Sequence, residues 1–217
     1  MDLLFNPISI AVISIIILVY SAILHEIAHG LVADRLGDPT ARLMGRLTLN
    51  PKPHIDPILS LLLPLMLILS GSPVIFGGAK PVPVDPFNFR DKRKDIALVS
   101  LAGPGANILL AILGSLLLRG LLLFPENIGV QILGFFLLLV IKLNLLLAIF
   151  NLLPIPPLDG SKIFAMILPE RESQMYLSLG NIGFFIIFFL LLFPIGGFSL
   201  GLFVENILTF SLNFLLP

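Results

Sequence analysis

The stretch ISIAVISIIILVYSAILHEIAHGLV, residues 8–32, decides how the rest of the chain is read. Residues 8–24 carry no charged side chain, and His25, Glu26 and His29 then follow inside the same apolar run. About 20 mostly apolar residues in a helix cross the ~30 Å hydrocarbon layer of a bilayer. Ile8–Val32 therefore predicts a membrane-spanning helix. No Lys or Arg precedes it, and the run continues through three ionisable residues, so it reads as a retained first helix rather than a cleaved leader. Ionisable groups at membrane depth cost at least ~2.5 kcal/mol each on insertion scales, and residues kept there usually serve a function.

Composition extends that reading to the whole chain. Of 217 residues, 57% are hydrophobic and 12% charged, with 13 basic and 13 acidic side chains. Soluble domains run at roughly 45–50% apolar and about 25% charged. The balance excludes a soluble enzyme and a disordered tail. Without a basic excess it also excludes a nucleic-acid partner. An all-α polytopic membrane protein remains, with the lipid bilayer as its surroundings. The absence of Cys removes disulfides, thiolate zinc ligands and a Cys nucleophile.

The apolar pattern predicts five to six transmembrane helices. Ile8–Val32, Ile96–Phe124, Ile128–Leu153 and Tyr176–Phe193 are long enough, and Phe198–Leu216 either spans or lies at the interface. Pro57–Ser70 has only 14 residues and contains Pro64. Nine of the thirteen basic residues fall between Arg35 and Lys94, on both sides of that short segment. Basic loops stay in the cytoplasm, so Asp56–Asp85 is expected to enter the membrane and return. Non-helical backbone at that depth is tolerated inside protein or beside a water-filled cavity. A re-entrant extended or β-hairpin element is therefore expected over Gly71–Val84. In an extended strand alternate N–H groups face one edge. Pro81 and Pro83 remove donors from one edge and leave those of Lys80, Val82 and Val84 on the other. Val82 and Val84 are thus candidates for pairing with an added extended segment.

In this topology the C-terminal ends of the first helix and of Ile128–Leu153 reach the same, cytoplasmic, side. His25-Glu26-Ile27-Ala28-His29 is an HExxH motif. At 100° per residue the two histidines lie about 40° apart on one helix face, where both can bind one zinc ion, with Glu26 beside them to activate water. A catalytic zinc site takes a third protein ligand and keeps an open position. Val32 and Arg35 stand where a metzincin-type pattern would place Gly and His, and the next Glu, Glu126, lies on the opposite side. His54 and the aspartates remain. Asp34, Asp38, Asp56, Asp85, Asp91 and Asp95 read as solvated loop residues. Asp159 differs, because it lies in NLLPIPPLDG, residues 151–160, which Pro154, Pro156 and Pro157 keep out of helix at the membrane boundary.

HEIAH in one membrane helix and NLLPIPPLDG after a later one together resemble the site-2 protease family of intramembrane zinc metalloproteases, whose pattern has HExxH and an NxxPxPxLDG-like element. AGPGAN, residues 102–107, is similar to that family's small-residue helix. The resemblance covers residues 8–168. It implies that His25, His29 and Asp159 ligate one zinc ion per chain and that Glu26 is the general base. It implies a multi-pass cell-membrane enzyme whose active site faces the cytoplasm and which hydrolyses peptide bonds in or near transmembrane segments of membrane-protein substrates. Residues 1–217 are expected to form a single membrane-embedded protease domain, with a catalytic core over 8–168 and C-terminal helices over 169–217. No segment is long enough for a PDZ or nucleotide-sensing domain, so a compact form is expected.

Around this core, Asn151 is expected to assist catalysis by donating its amide to an oxyanion or to the substrate backbone. Asn107 and Asn144 are expected to hydrogen-bond between helices. Lys142 lies about 180° round its helix from Asn151 and should face away from the site. His54 either gates the site, assists catalysis or sits at the interface. Two other functions fit the same four ionisable residues. A metal or proton transporter would show an inverted repeat or paired broken helices, and the sequence has no repeated motif. A catalytically inactive scaffold of the same fold would have lost a ligand or the base, and all four are present.

Overall fold

The computed structural model describes residues 6–62, 65–66 and 79–217. Helix α1, Pro7–Leu36, starts where the Asn6 side chain accepts the Ser9 N–H at 2.8 Å and Pro7 needs no hydrogen-bond partner. It stops at Gly37, whose φ of 111° only glycine adopts readily. The N–H groups of Gly37 and Asp38 turn back onto the carbonyls of Asp34 and Ala33, a Schellman-type stop. A single turn, α2 (Thr40–Leu43), follows.

Helix α3, Lys92–Leu121, is capped reciprocally: the Asp91 carboxylate accepts the Lys94 N–H and the Asp95 carboxylate accepts that of Asp91. Helix α4, Ile128–Asn151, begins at Asn127, whose side chain accepts the N–H groups of Gly129 and Val130. Shorter helices complete the chain: α5 (Asp159–Ile167), α6 (Glu170–Ser178), α7 (Gly180–Leu192) and α8 (Leu200–Leu215).

Three of these helices, α1, α3 and α4, are long and apolar enough to cross a membrane, and the pair α6–α7 qualifies as a fourth only when its 69° bend is ignored. Helix α8, with 16 residues, falls short on its own. The described residues thus form an all-helical bundle without strands.

Contacts fix the directions of the three long helices. His29 meets Val99 and His25 meets Asn107, so α1 and α3 are antiparallel. Asn107 meets Asn144 and Gly114 meets Ile141, so α3 and α4 are antiparallel too. The C-terminal ends of α1 and α4 therefore lie together, as the topology read from the sequence requires. Buried Ala111, Leu118, Leu137, Ile141, Leu145 and Leu208 fill the space between α3, α4 and α8. At the far end of α3, Arg119 and Ser115 bond the last carbonyls of α8, donating to Leu215 and, from Arg119, also to Leu216.

The expected hairpin falls largely on residues 71–78, which lie outside the described residues. Its last part, 79–84, makes no strand pairing among the described residues and is held, with Asp85, by groups of the preceding loops. The Asp38 carboxylate accepts N–H groups of Asp85 and Asn88 at 2.8 Å each. Arg46 donates to the carbonyls of Lys80 and Pro81, and Lys80 donates its N–H to the His54 carbonyl. Two aspartates read as solvated are therefore not: Asp38 is fully buried and Asp95 is 8% exposed. Their partners are backbone, hydroxyl and amide donors, which satisfy a carboxylate without water.

Candidate metal centre

His25 and His29 stand one turn apart on α1, and Asp159 opens α5 directly after the proline-rich loop. The spacing on α1 puts both imidazoles on one face. Residues 152–158 stay non-helical, as three prolines dictate, and reverse the chain so that α5 points its first carboxylate back at α1. Gly160 makes that reversal possible, because a Cβ there would lie 2.5 Å from the Leu153 carbonyl oxygen and closer still to that of Leu152. Tyr176 ties the loop from α6 by donating its hydroxyl to the Pro154 carbonyl at 2.7 Å.

Three ligating atoms converge. His25 Nε2 and His29 Nε2 are 3.0 Å apart, and Asp159 Oδ2 lies 3.2 Å and 3.1 Å from them. All three side chains are buried. His29 Nδ1 lies 2.6 Å from the Val99 carbonyl, an obligate acceptor, so the proton of that ring is on Nδ1. His25 Nδ1 lies 2.6 Å from Asn107 Oδ1. The orientation of that amide is fixed because its Nδ2 faces the Ser21 carbonyl and Asn144 Oδ1. In the neutral rings both Nε2 atoms therefore carry lone pairs and face a carboxylate oxygen. Three buried acceptors facing one another are satisfied by a shared positive charge, a proton or a metal ion. The separations match the edges of a tetrahedron with bonds of ~2.0–2.1 Å, which are about 3.3 Å. These residues fit a zinc ion.

Gly103 supplies the room. A Cβ at this position of α3 would lie 2.5 Å from His25 Nε2 and nearer still to His29 Nε2. The sequence marked Gly103 only as part of a small-residue stretch. Asn107 and Asn144 do make the expected interhelical bond, at 2.9 Å, and Asn144 reaches on to Ser21 Oγ. Unforeseen was the bond of Asn107 to His25, which makes this buried chain of amides part of the site. Lys162 was also missed. One turn after Asp159, its ammonium lies 3.3 Å from Asp159 Oδ1, the oxygen turned away from the histidines. Its i,i+3 spacing from Asp159 was the available signal.

The other candidates are distributed as follows. Glu26 Oε2 accepts the Val82 N–H at 2.7 Å. Val84 packs against the cluster formed by Ala33, Phe89 and Val99. His54 does not join the three ligands: it is buried, and its Nε2 donates to the Thr48 carbonyl at 2.9 Å. Asn151, in the last turn of α4, donates to the Leu147 carbonyl of its own helix. Lys142 is exposed on the outer face of α4.

Comparison with known proteins agrees with this geometry. Residues 125–194, which contain the proline loop and Asp159, match the family model described as "Peptidase family M50". The protein named "Putative zinc metalloprotease YwhC" of Bacillus subtilis (strain 168) is 36% identical over 204 residues, 91% of this chain and 88% of its own length. Two proteins named "Putative zinc metalloprotease Rip2" are also similar. That of Mycolicibacterium smegmatis (strain ATCC 700084 / mc(2)155) is 35% identical over 80% of this chain and 64% of its own. That of Mycobacterium tuberculosis (strain ATCC 25618 / H37Rv) is 37% identical over 79% and 62%. No solved structure matches. With a relative this similar along nearly its whole length, and with the family model falling on the segment that supplies Asp159, the chain belongs to peptidase family M50, the site-2 protease type of zinc metalloprotease.

Proposed function

We propose that this chain hydrolyses peptide bonds in or near transmembrane segments of membrane-protein substrates, with one zinc ion held by His25, His29 and Asp159. The observation that carries the reading is the convergence of three buried lone-pair donors whose imidazole protons are both turned away, onto Val99 and Asn107. When bound, zinc supplies Lewis acidity toward a water and a scissile carbonyl. The chain supplies the rest. Glu26 takes the proton of the attacking water and passes it to the leaving amine. Asn151 commits one amide hydrogen to Leu147, and its NH2 group has a second to offer an oxyanion or substrate carbonyl. The Asn107–Asn144 pair fixes the His25 ring, and Val99 fixes that of His29.

The same reading places the site toward the cytoplasm of a multi-pass membrane protein. In support, the C-terminal ends of α1 and α4 share a side with Arg35, Arg42, Arg46 and Lys92–Lys94. It retains five to six crossings, with α6–α7 and α8 added to the three long helices, and a re-entrant element between Asp56 and Asp85. The Lys80–His54 bond, at 2.7 Å, supports such an element because it brings the two ends of the intervening segment together.

The test is purified protein in detergent or nanodiscs, assayed for bound zinc and for cleavage of a membrane-helix substrate. Chelation is expected to abolish cleavage and zinc readdition to restore it. Glu26→Gln should keep the zinc and lose roughly 10²–10⁴-fold in rate, the usual contribution of a positioned base. Ordinary turnover by that variant would remove Glu26 from the mechanism.

A further inference from the structure

We infer that the main-chain amide of Val82 is the positioning group for Glu26, holding one carboxylate oxygen so that the other is left for proton transfer. This rests on the reading of Glu26 as the base. The contact is direct: Val82 N lies 2.7 Å from Glu26 Oε2, the length of a charge-assisted bond. What makes it a positioning device is that the donor is fixed without help from Glu26. Two residues before Val82, the Lys80 N–H is bound by the His54 carbonyl, and the carbonyls of Lys80 and Pro81 are bound by Arg46. Three residues after it, the Asp85 N–H is bound by Asp38. Val82 is itself buried. A Cβ placed on Gly30, one residue past His29, would come within 3.2 Å of Val82 Cγ1, so the segment lies directly on α1.

The sequence of this segment now has a second meaning. Pro81 and Pro83 have no N–H, so Val82 carries the one backbone donor of the three residues. The backbone there has a single hydrogen to give, and it is given to Glu26. A glutamate side chain has three rotatable bonds and, with only solvent to guide it, samples many rotamers. One bond to an immobile amide removes that freedom in advance of the reaction. A misplacement of about 1 Å in a reacting group can cost on the order of 10²-fold in rate. The expectation that Val82 pairs with a substrate strand requires the same hydrogen. The two roles therefore predict different kinetic effects.

Val82→Pro and Val82→Ala separate them. Alanine keeps the amide and removes the packing against Gly30, whereas proline removes the amide. Positioning predicts that Val82→Pro lowers kcat by about 10²-fold with KM and zinc content unchanged, while Val82→Ala keeps kcat within a few fold. A raised KM with ordinary kcat in Val82→Pro would overturn the inference in favour of substrate pairing. Equal loss of kcat in both variants would reduce the contact to packing and also overturn it. A readout independent of activity and of metal covers the case in which Val82→Pro does not fold. In metal-free protein labelled with ¹⁵N-valine, the Val82 amide proton should resonate downfield and exchange slowly. It should move upfield and exchange faster in Glu26→Ala. An amide that does not respond to Glu26→Ala overturns the positioning contact whatever the activity. Ordinary cleavage by Glu26→Gln instead overturns the base reading and leaves this amide signal in place.

Discussion

Gly103 shows how little of the site consists of the residues that do chemistry. It has no functional group, yet its missing side chain is the space into which both histidine Nε2 atoms project. Gly103→Ala is expected to abolish zinc binding while His25, Glu26, His29 and Asp159 all remain. A competition titration against a chromophoric chelator, read beside the helical circular dichroism, separates loss of the centre from loss of the fold. The comparison with Gly105 is instructive, because a Cβ there meets nothing within 4 Å. Gly105→Ala is the matched control and should bind zinc normally. The two glycines flank Pro104 and are equivalent in the sequence. Only packing against α1 distinguishes them.

At the scale of elements, the loops around α1 are organised by Asp38. Its carboxylate accepts from the Thr40 hydroxyl and N–H, from the Asp85 N–H and from Asn88. Burial alone would raise its pKa. The donors from Thr40, Asp85 and Asn88 outweigh that and hold it below the ordinary value of 3.8. A carboxyl lowered on folding stabilises the protein above its unfolded pKa, and that contribution is lost as pH falls through the folded value. Asp38→Asn should therefore melt below the native protein at pH 7, and the gap should close as pH is lowered through and below 3.8. Thermal scans in a fixed detergent across pH 7 to 3 measure it. A gap that is constant with pH would assign the effect to shape. Asp38 also marks where sequence reasoning stops. Its neighbours Asp34, Arg35 and Arg42 make the region look like a solvated loop, while the donors that bury it come from residues 47 and 50 positions further on. HEIAH could be read because helical spacing is local. Asp159 could be read because prolines and a shared membrane side narrowed the choice. The engagement of Val82 with Glu26 could not, since a backbone N–H carries no signature of its acceptor. The apolar lengths of α1, α3 and α4 gave the long helices correctly. The tail was less legible, because apolar content does not reveal the 69° bend between α6 and α7.

Across the whole molecule, α3 meets both histidines of the centre and the helix that Asp159 opens. Arg93, near its start, donates to the carbonyls of Ala165, Met166 and Leu168, which close α5, the helix that Asp159 opens. Val99 then meets His29, Gly103 meets both histidines and Asn107 meets His25. Spacings of six, four and four residues thus set where two separate stretches of chain, the end of α5 and the histidine turn of α1, come to rest. The helix works as a ruler, and its graduations are residue positions. A ruler fails by a change of length as readily as by a lost mark. One alanine inserted between Ile96 and Ala97 turns Arg93 about 100° and shifts it ~1.5 Å relative to Val99, Gly103 and Asn107. Every ligand and every contact residue is still encoded, yet zinc affinity is expected to fall. The same insertion between Gly120 and Leu121, beyond the last of these marks and beyond Arg119, should leave zinc bound at full stoichiometry. Substitution tolerance and length tolerance are thus expected to be separate properties of this helix: exposed apolar positions such as Leu98 and Leu109 should accept exchange for other apolar residues, while the count of residues from Arg93 to Asn107 should accept no change.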